Sequence, residues 1–246
     1  MDRKDLMQSL ERFRKGLLQM GILIVVLAAA IFPFSKTLLW HLHLPLGQDL
    51  VAMAIPEVFL GLLKLTLFAS LFLAVPLLFY RIWESFSPIF RGRGMESGYP
   101  VIIAAIFLFY LGAGFCYFVT LPFGIRFLLG YQSTQIQPMI TVGKYITFCS
   151  IFVFAFGLTF ELPLVLALLS YVNLVKSSFL TRNRRYAILL IAVVAAAVTP
   201  TPDVFNMTLM GGPLYVLFEI GVVLVKLIER KRMVSEALSG KGSMDP

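Results

Sequence analysis

The sequence predicts an all-α polytopic membrane protein. Six transmembrane helices, with both termini cytosolic, form an open concave bundle in which helices 5 and 6 are short. Three observations predict it. The 246-residue chain is 59% hydrophobic and 14% charged, whereas soluble domains carry about 25% charged residues, and its apolar runs reach the length of about 18 residues that marks a membrane span. Its Lys and Arg residues gather at alternate ends of those runs. One run, Phe148 to Tyr171, contains a single charge, Glu161, followed by Pro163.

The chain begins with a charged, amphipathic cytosolic segment, 1–16, mixing Asp2, Asp5 and Glu11 with five Lys/Arg. Span 1 follows over about 17–39. It has no convincing cleavage site, so it is expected to remain rather than leave as a signal peptide. Residues 40–57 form an outer loop with Trp40 at its edge, a common interfacial position. Span 2 covers about 58–80; its Lys64 lies near the outer end and reaches the interface by its long stem. A polar loop, 81–99, carries Trp83, Pro88 and the Gly/Arg cluster RGRG, and Pro100 suits the first turn of the next helix. Span 3 is about 101–121, and a second outer loop, 122–142, is rich in Gln.

Span 4 occupies about 143–171. A carboxylate at bilayer depth is costly and rare without a function. Pro163 has no N–H to give the carbonyl of Thr159, so the helix is expected to bend there and leave a polar notch. A carboxyl held neutral, or bonded to a neighbouring helix as packing glue, is the alternative for Glu161. Span 5, about 186–198, has thirteen residues before TPTPD stops it; at ~1.5 Å per residue it falls short of a ~30 Å hydrocarbon core. Span 6, about 207–225, is expected to be short and interrupted by Gly211, Gly212, Pro213 and Glu219. Residues 1–228 therefore read as one six-helix membrane domain and 229–246 as a basic to disordered cytosolic tail.

Counting Lys/Arg by side gives 17 on the segments assigned inside and 3, Lys36, Arg126 and Lys144, outside. This asymmetry fixes the orientation. It also removes nucleic acid as the meaning of the +8 net charge. Cys116 and Cys149 sit inside apolar runs as small hydrophobes, and His41 and His43 have no partners at metal-ligand spacing. No metal or cofactor is expected. No GxSxG, HExxH or phosphate-binding loop is present, so an enzyme is disfavoured. The conspicuous polar residues are acids. Glu11, Glu84 and Glu96 lie on the cytosolic face, where carboxylates could pair with guanidinium groups. Asp203 precedes span 6 as a helix cap, and Glu219 lies within that span. Trp83 and Phe86 suit interfacial anchoring.

Four stretches together resemble the TatC family, the polytopic subunit of the twin-arginine protein translocase. They are PEVFLGLLKLTLFASLFLAVPLLFYRIWESFSPIF (56–90), FVFAFGLTFELPLVLALL (152–169), RRYAILLIAVVAAAVTPTPDVFNMTL (184–209) and PLYVLFEIG (213–221). The resemblance implies a non-enzymatic subunit of the bacterial cytoplasmic (inner) membrane. It implies binding of twin-arginine signal peptides at the cytosolic face through Glu96, Glu11, Arg14, Trp83 and Phe86. It implies that Glu161 and Pro163, with Asp203 and Glu219, form an exposed membrane notch on the concave face. The implied partners are single-span subunits of the TatA/TatB type, signal peptides of folded cargo, surrounding membrane lipid and further copies of the chain. Export would draw on the proton gradient. The sequence departs from the family pattern at Ser9, Arg12, Ser85, Met207 and the extra residue in TPTPD. A proton-coupled small-molecule transporter, with Glu161 and Glu219 as relay groups, is the alternative; the absence of an internal repeat weighs against it.

Overall fold

The computed structural model describes residues 3–44, 46, 49–91, 98–130, 139–198 and 204–241. Ten α-helices occur among them, α1 (Arg3–Ile31), α2 (Ser35–His43), α3 (Ile55–Arg91), α4 (Tyr99–Phe115), α5 (Leu121–Leu129), α6 (Val142–Phe160), α7 (Leu162–Tyr171), α8 (Ser177–Arg182), α9 (Arg184–Val198) and α10 (Val204–Lys241). Five helical segments are long and apolar enough to cross a membrane: Leu18–His43, Ile55–Ser85, Tyr99–Phe127, Val142–Tyr171 and Met207–Met233. Between the fourth and fifth of these lies α9, whose 15 residues rise only about 22 Å at ~1.5 Å each. It is the expected short span 5.

Proline places the breaks. Pro33 lies in a 3₁₀ turn, Phe32–Phe34, between α1 and α2. Pro122 follows a π-helical turn, Cys116–Thr120, between α4 and α5. In each case the ring removes an N–H and displaces the preceding turn, and the backbone answers by tightening or widening locally. Pro100 sits in the first turn of α4, as expected.

The sixth span differs from its expectation. It is not short: α10 has 38 residues, and its apolar part alone covers 27, Met207–Met233. Gly211, Gly212 and Pro213 do not interrupt it. In lipid an unpaired backbone group costs several kcal/mol, so the helix forfeits one bond at Pro213 and keeps the rest. The helix also runs through 229–241, where a basic tail was expected. The loops shift for the same reason. Trp83, Glu84 and Phe86 lie on the last turns of α3, not in a loop, because α3 continues to Arg91. The outer segments 40–57 and 122–142 likewise begin as helix, to His43 and Leu129.

The chain divides into two compact units, the first Met1–Phe86 with Leu121–Phe154 and the second Ser87–Thr120 with Ala155–Pro246. In the first, Leu65, Val142 and Ile146 form a buried cluster against which Leu38, Leu39, Leu42 and Leu50 pack. Its outer segments touch in a parallel bridge, with Val51 N–H donating to Ile140 O (3.0 Å) and Val142 N–H to Val51 O (3.2 Å). In the second, α10 packs along α7 and α9 and reaches α8. Phe109, Phe156, Met210, Val222 and Val225 are buried there. Cys116 is buried in the second unit and Cys149 in the first, neither of them in a disulfide.

Candidate functional site

Glu161 is the hinge residue of span 4. It stands alone between α6 and α7, with helical dihedrals of φ −71° and ψ −15°. Its N–H reaches back three residues to Leu158 O (3.2 Å), and its own carbonyl accepts from Val165 N–H (2.9 Å). One bond has shortened from the α-helical span to a 3₁₀ one, which is the bend Pro163 was expected to force. Pro163 occupies the first turn of α7, where a missing N–H costs nothing.

The side chain is buried within the second unit rather than exposed on a concave face: Glu161 is 8% exposed. Its Oε1 has no hydrogen-bond partner among the described residues. The burial comes from close helix approaches. A Cβ at Gly157 would lie 2.6 Å from Cε2 of Phe109, so α4 can press its ring onto α6 only because no side chain is there. A Cβ at Gly221 would lie 2.6 Å from Leu166 Cδ1 and 3.3 Å from Pro163 Cα, which brings α10 onto the bend from another side. The result is an acid with an unused acceptor, held in a tightly packed kink at membrane depth. Such a group can accept a hydrogen bond from a donor brought by another helix, or donate one when protonated.

The remaining expected residues separate. Glu219 does not hydrogen-bond to Glu161; it takes Arg184 Nη2 on Oε2 (2.9 Å) and the Tyr215 hydroxyl on Oε1 (3.0 Å). The pair ties α9 to α10, with the Arg184 side chain 42% and the Glu219 side chain 29% exposed. Trp83 is half-buried on α3. Beside it, Glu84 pairs with Arg81 Nη1 (3.2 Å), and Arg81 Nη2 reaches Gln19 Oε1 on α1 (3.0 Å). Glu11 and Arg14 fall on α1 and Phe86 on α3, with side chains outside the described part. Glu96 and Asp203 lie outside the described residues.

Two carboxylates escaped the sequence reading. Glu57 accepts Met53 N–H on Oε2 (2.8 Å) and Gly143 N–H on Oε1 (3.2 Å), so one side chain caps two helices, α3 and α6. Glu229 on α10 accepts both the N–H (2.9 Å) and the hydroxyl of Ser177, which caps α8. The acid in the first turn of α3 is a readable cap signal; its second partner, 86 residues away, is not. An acid inside a long basic helix gives no signal of the Ser177 it will meet.

Comparison with known proteins gives a consistent neighbourhood. The family described as "Sec-independent protein translocase protein (TatC)" matches residues 8–213. A TatC of Carboxydothermus hydrogenoformans is 34% identical over 234 residues, covering 94% of this chain and 96% of the relative. The TatC of Escherichia coli K12 is 31% identical over 228 residues, covering 90% and 88%. A crystal structure titled as the twin arginine translocase receptor TatC superposes with a TM-score of 0.76 at 31% identity, covering 90% of this chain and 99% of that one.

Proposed function

Because the chain belongs to the TatC family, we propose that it is the receptor and core subunit of a twin-arginine protein translocase. The chain is a multi-pass protein of the bacterial inner membrane and a component of a protein translocase. In the proposed role its cytosolic face takes the paired arginines of a signal peptide, with Glu96, Glu11, Arg14, Trp83 and Phe86 as the contact set. Carboxylate–guanidinium bonds of this kind are worth about 1.5–3 kcal/mol each when partly desolvated. Single-span subunits of the TatA/TatB type and further copies of the chain complete the assembly, and residues 1–228 serve as one membrane domain. Folded cargo crosses at the expense of the proton gradient.

Within the membrane Glu161 is the docking group for a polar side chain of a partner helix. One observation supports this above the others: the residue is 8% exposed, yet its Oε1 has no partner among the described residues. A purely structural acid would have both of its oxygens bonded. Asp203 is proposed to cap the start of α10.

The test is restoration of export of a twin-arginine reporter in cells lacking their own TatC. Restored export supports the reading. A well-expressed, membrane-inserted chain that restores nothing, and whose cytosolic segments 1–16 and 84–97 take no crosslink from a photoreactive twin-arginine peptide, overturns it.

A further inference from the structure

We infer that the cytosolic end of the second unit, where α8 lies against the inner turns of α10, is a binding site for the anionic headgroup of a membrane phospholipid. Residues 172–185 and 226–232 contain eight Lys/Arg and one carboxylate, Glu229. That carboxylate is withdrawn: both of its oxygens are taken up by the N–H and hydroxyl of Ser177. Three of the cations are also engaged, Arg184 by Glu219, Arg232 by Asn173 Oδ1 and Arg185 by the hydroxyl and ring of Tyr186. The other five, Lys176, Arg182, Lys226, Arg230 and Lys231, are exposed, and neither they nor Arg185 have a carboxylate partner among the described residues.

Local geometry sets the two segments that carry these cations side by side. Asn173 takes the left-handed conformation (φ 63°) after α7, and Leu174 N–H and Asn173 N–H close back on Leu169 O and Ser170 O, each at 2.9 Å. This C-terminal cap turns the chain so that α8 runs beside α10. The Glu229–Ser177 and Arg232–Asn173 bonds then fasten the two elements. Lys176 is the residue before the capped Ser177, and Arg230 and Lys231 directly follow the capping Glu229.

The segregation of Lys and Arg to this side is itself an orientation signal. It accounts for the side on which they lie, not for the turning inward of the one acid among them. Phosphodiester chemistry would suit a lipid headgroup or a free phosphate alike. Exposed apolar side chains decide for the lipid: Leu174 is 74% exposed, Phe179 61% and Leu227 51%. Basic heads beside exposed apolar and aromatic groups match the headgroup and acyl region of a leaflet. A soluble anion gives no use to the apolar groups.

The full chain, in nanodiscs of phosphatidylcholine with and without phosphatidylglycerol, tests this by native mass spectrometry of the retained lipid. The wild type should retain phosphatidylglycerol preferentially. Arg182→Gln/Arg230→Gln/Lys231→Gln should lose that preference by roughly fivefold per charge at low salt. Lys36→Gln/Arg126→Gln, at the outer end, should keep it. Should the triple variant fail to elute as the folded protein, Lys176→Gln/Arg185→Gln carries the same expectation. Equal retention of the two lipids by the wild type, or undiminished preference in the folded inner-end variants, overturns the site. Binding of inorganic phosphate by the wild type as tightly as phosphatidylglycerol, with the same loss in the inner-end variants, overturns the lipid as its ligand.

Discussion

Arg184 Nη2 lies 2.9 Å from Glu219 Oε2, so the first residue of the short helix α9 is fastened to the middle of α10. Tyr215 holds the other carboxylate oxygen. Both charged side chains are partly exposed, so water and salt screen the pair. Glu219→Gln and Arg184→Gln should each lower thermal stability in detergent modestly. The coupling in a double-mutant cycle should be about 1 kcal/mol or less, shrinking as salt is raised. A coupling indistinguishable from zero at low salt would show that the contact holds nothing.

Gly157 should not tolerate a methyl group. Three atoms of the Phe109 ring would stand 2.6–2.9 Å from the new Cβ, and a ring wedged between helices has little room to retreat. Gly157→Ala should destabilise by about 1–3 kcal/mol, the usual range for an overpacked core. Phe109→Leu, which trims the ring, should recover part of the loss when combined with it. A melting temperature unchanged by Gly157→Ala would mean that α4 and α6 are free to separate.

Glu161 should separate stability from function. Its buried carboxyl has an unused acceptor, which is costly in apolar surroundings. Glu161→Gln should therefore melt no lower than the wild type. Glu161→Ala should express and insert normally yet export the reporter poorly, with Glu161→Gln impaired less because it retains a donor and an acceptor. Wild-type export by Glu161→Ala would leave the residue with no role beyond packing.

Glu57 joins the starts of two spans, and its removal should be felt at the one far from it in sequence. Glu57→Ala deprives both Met53 N–H and Gly143 N–H of their acceptor. The expected result is a lower melting temperature and faster hydrogen exchange at the Gly143 amide, with Glu57→Gln intermediate. Exchange at Gly143 that stays at the wild-type rate would rule out the clamp.

Local chemistry along one helix was enough to read the spans and the bend. Apolar run lengths found the crossing helices, and Pro163 put the break of span 4 within two residues of where it lies, at Glu161. These depend on hydration and a missing N–H, both of which act on neighbouring residues. Only the tertiary structure decided what each acid does. Glu219 meets Arg184 across 35 residues, Glu229 meets Ser177 across 52 and Glu57 meets Gly143 across 86. Burial of Glu161 likewise depends on Gly157 admitting a ring from α4 and on Gly221 admitting α7. The physical reason is the solvent. A helix in water marks its packed face by apolar periodicity; a helix in lipid is apolar all round, and small residues and caps set its contacts. The same lack of contrast hid the continuity of α10, whose glycines and proline would end a helix in water but, with no water to take the freed bonds, remain inside one here.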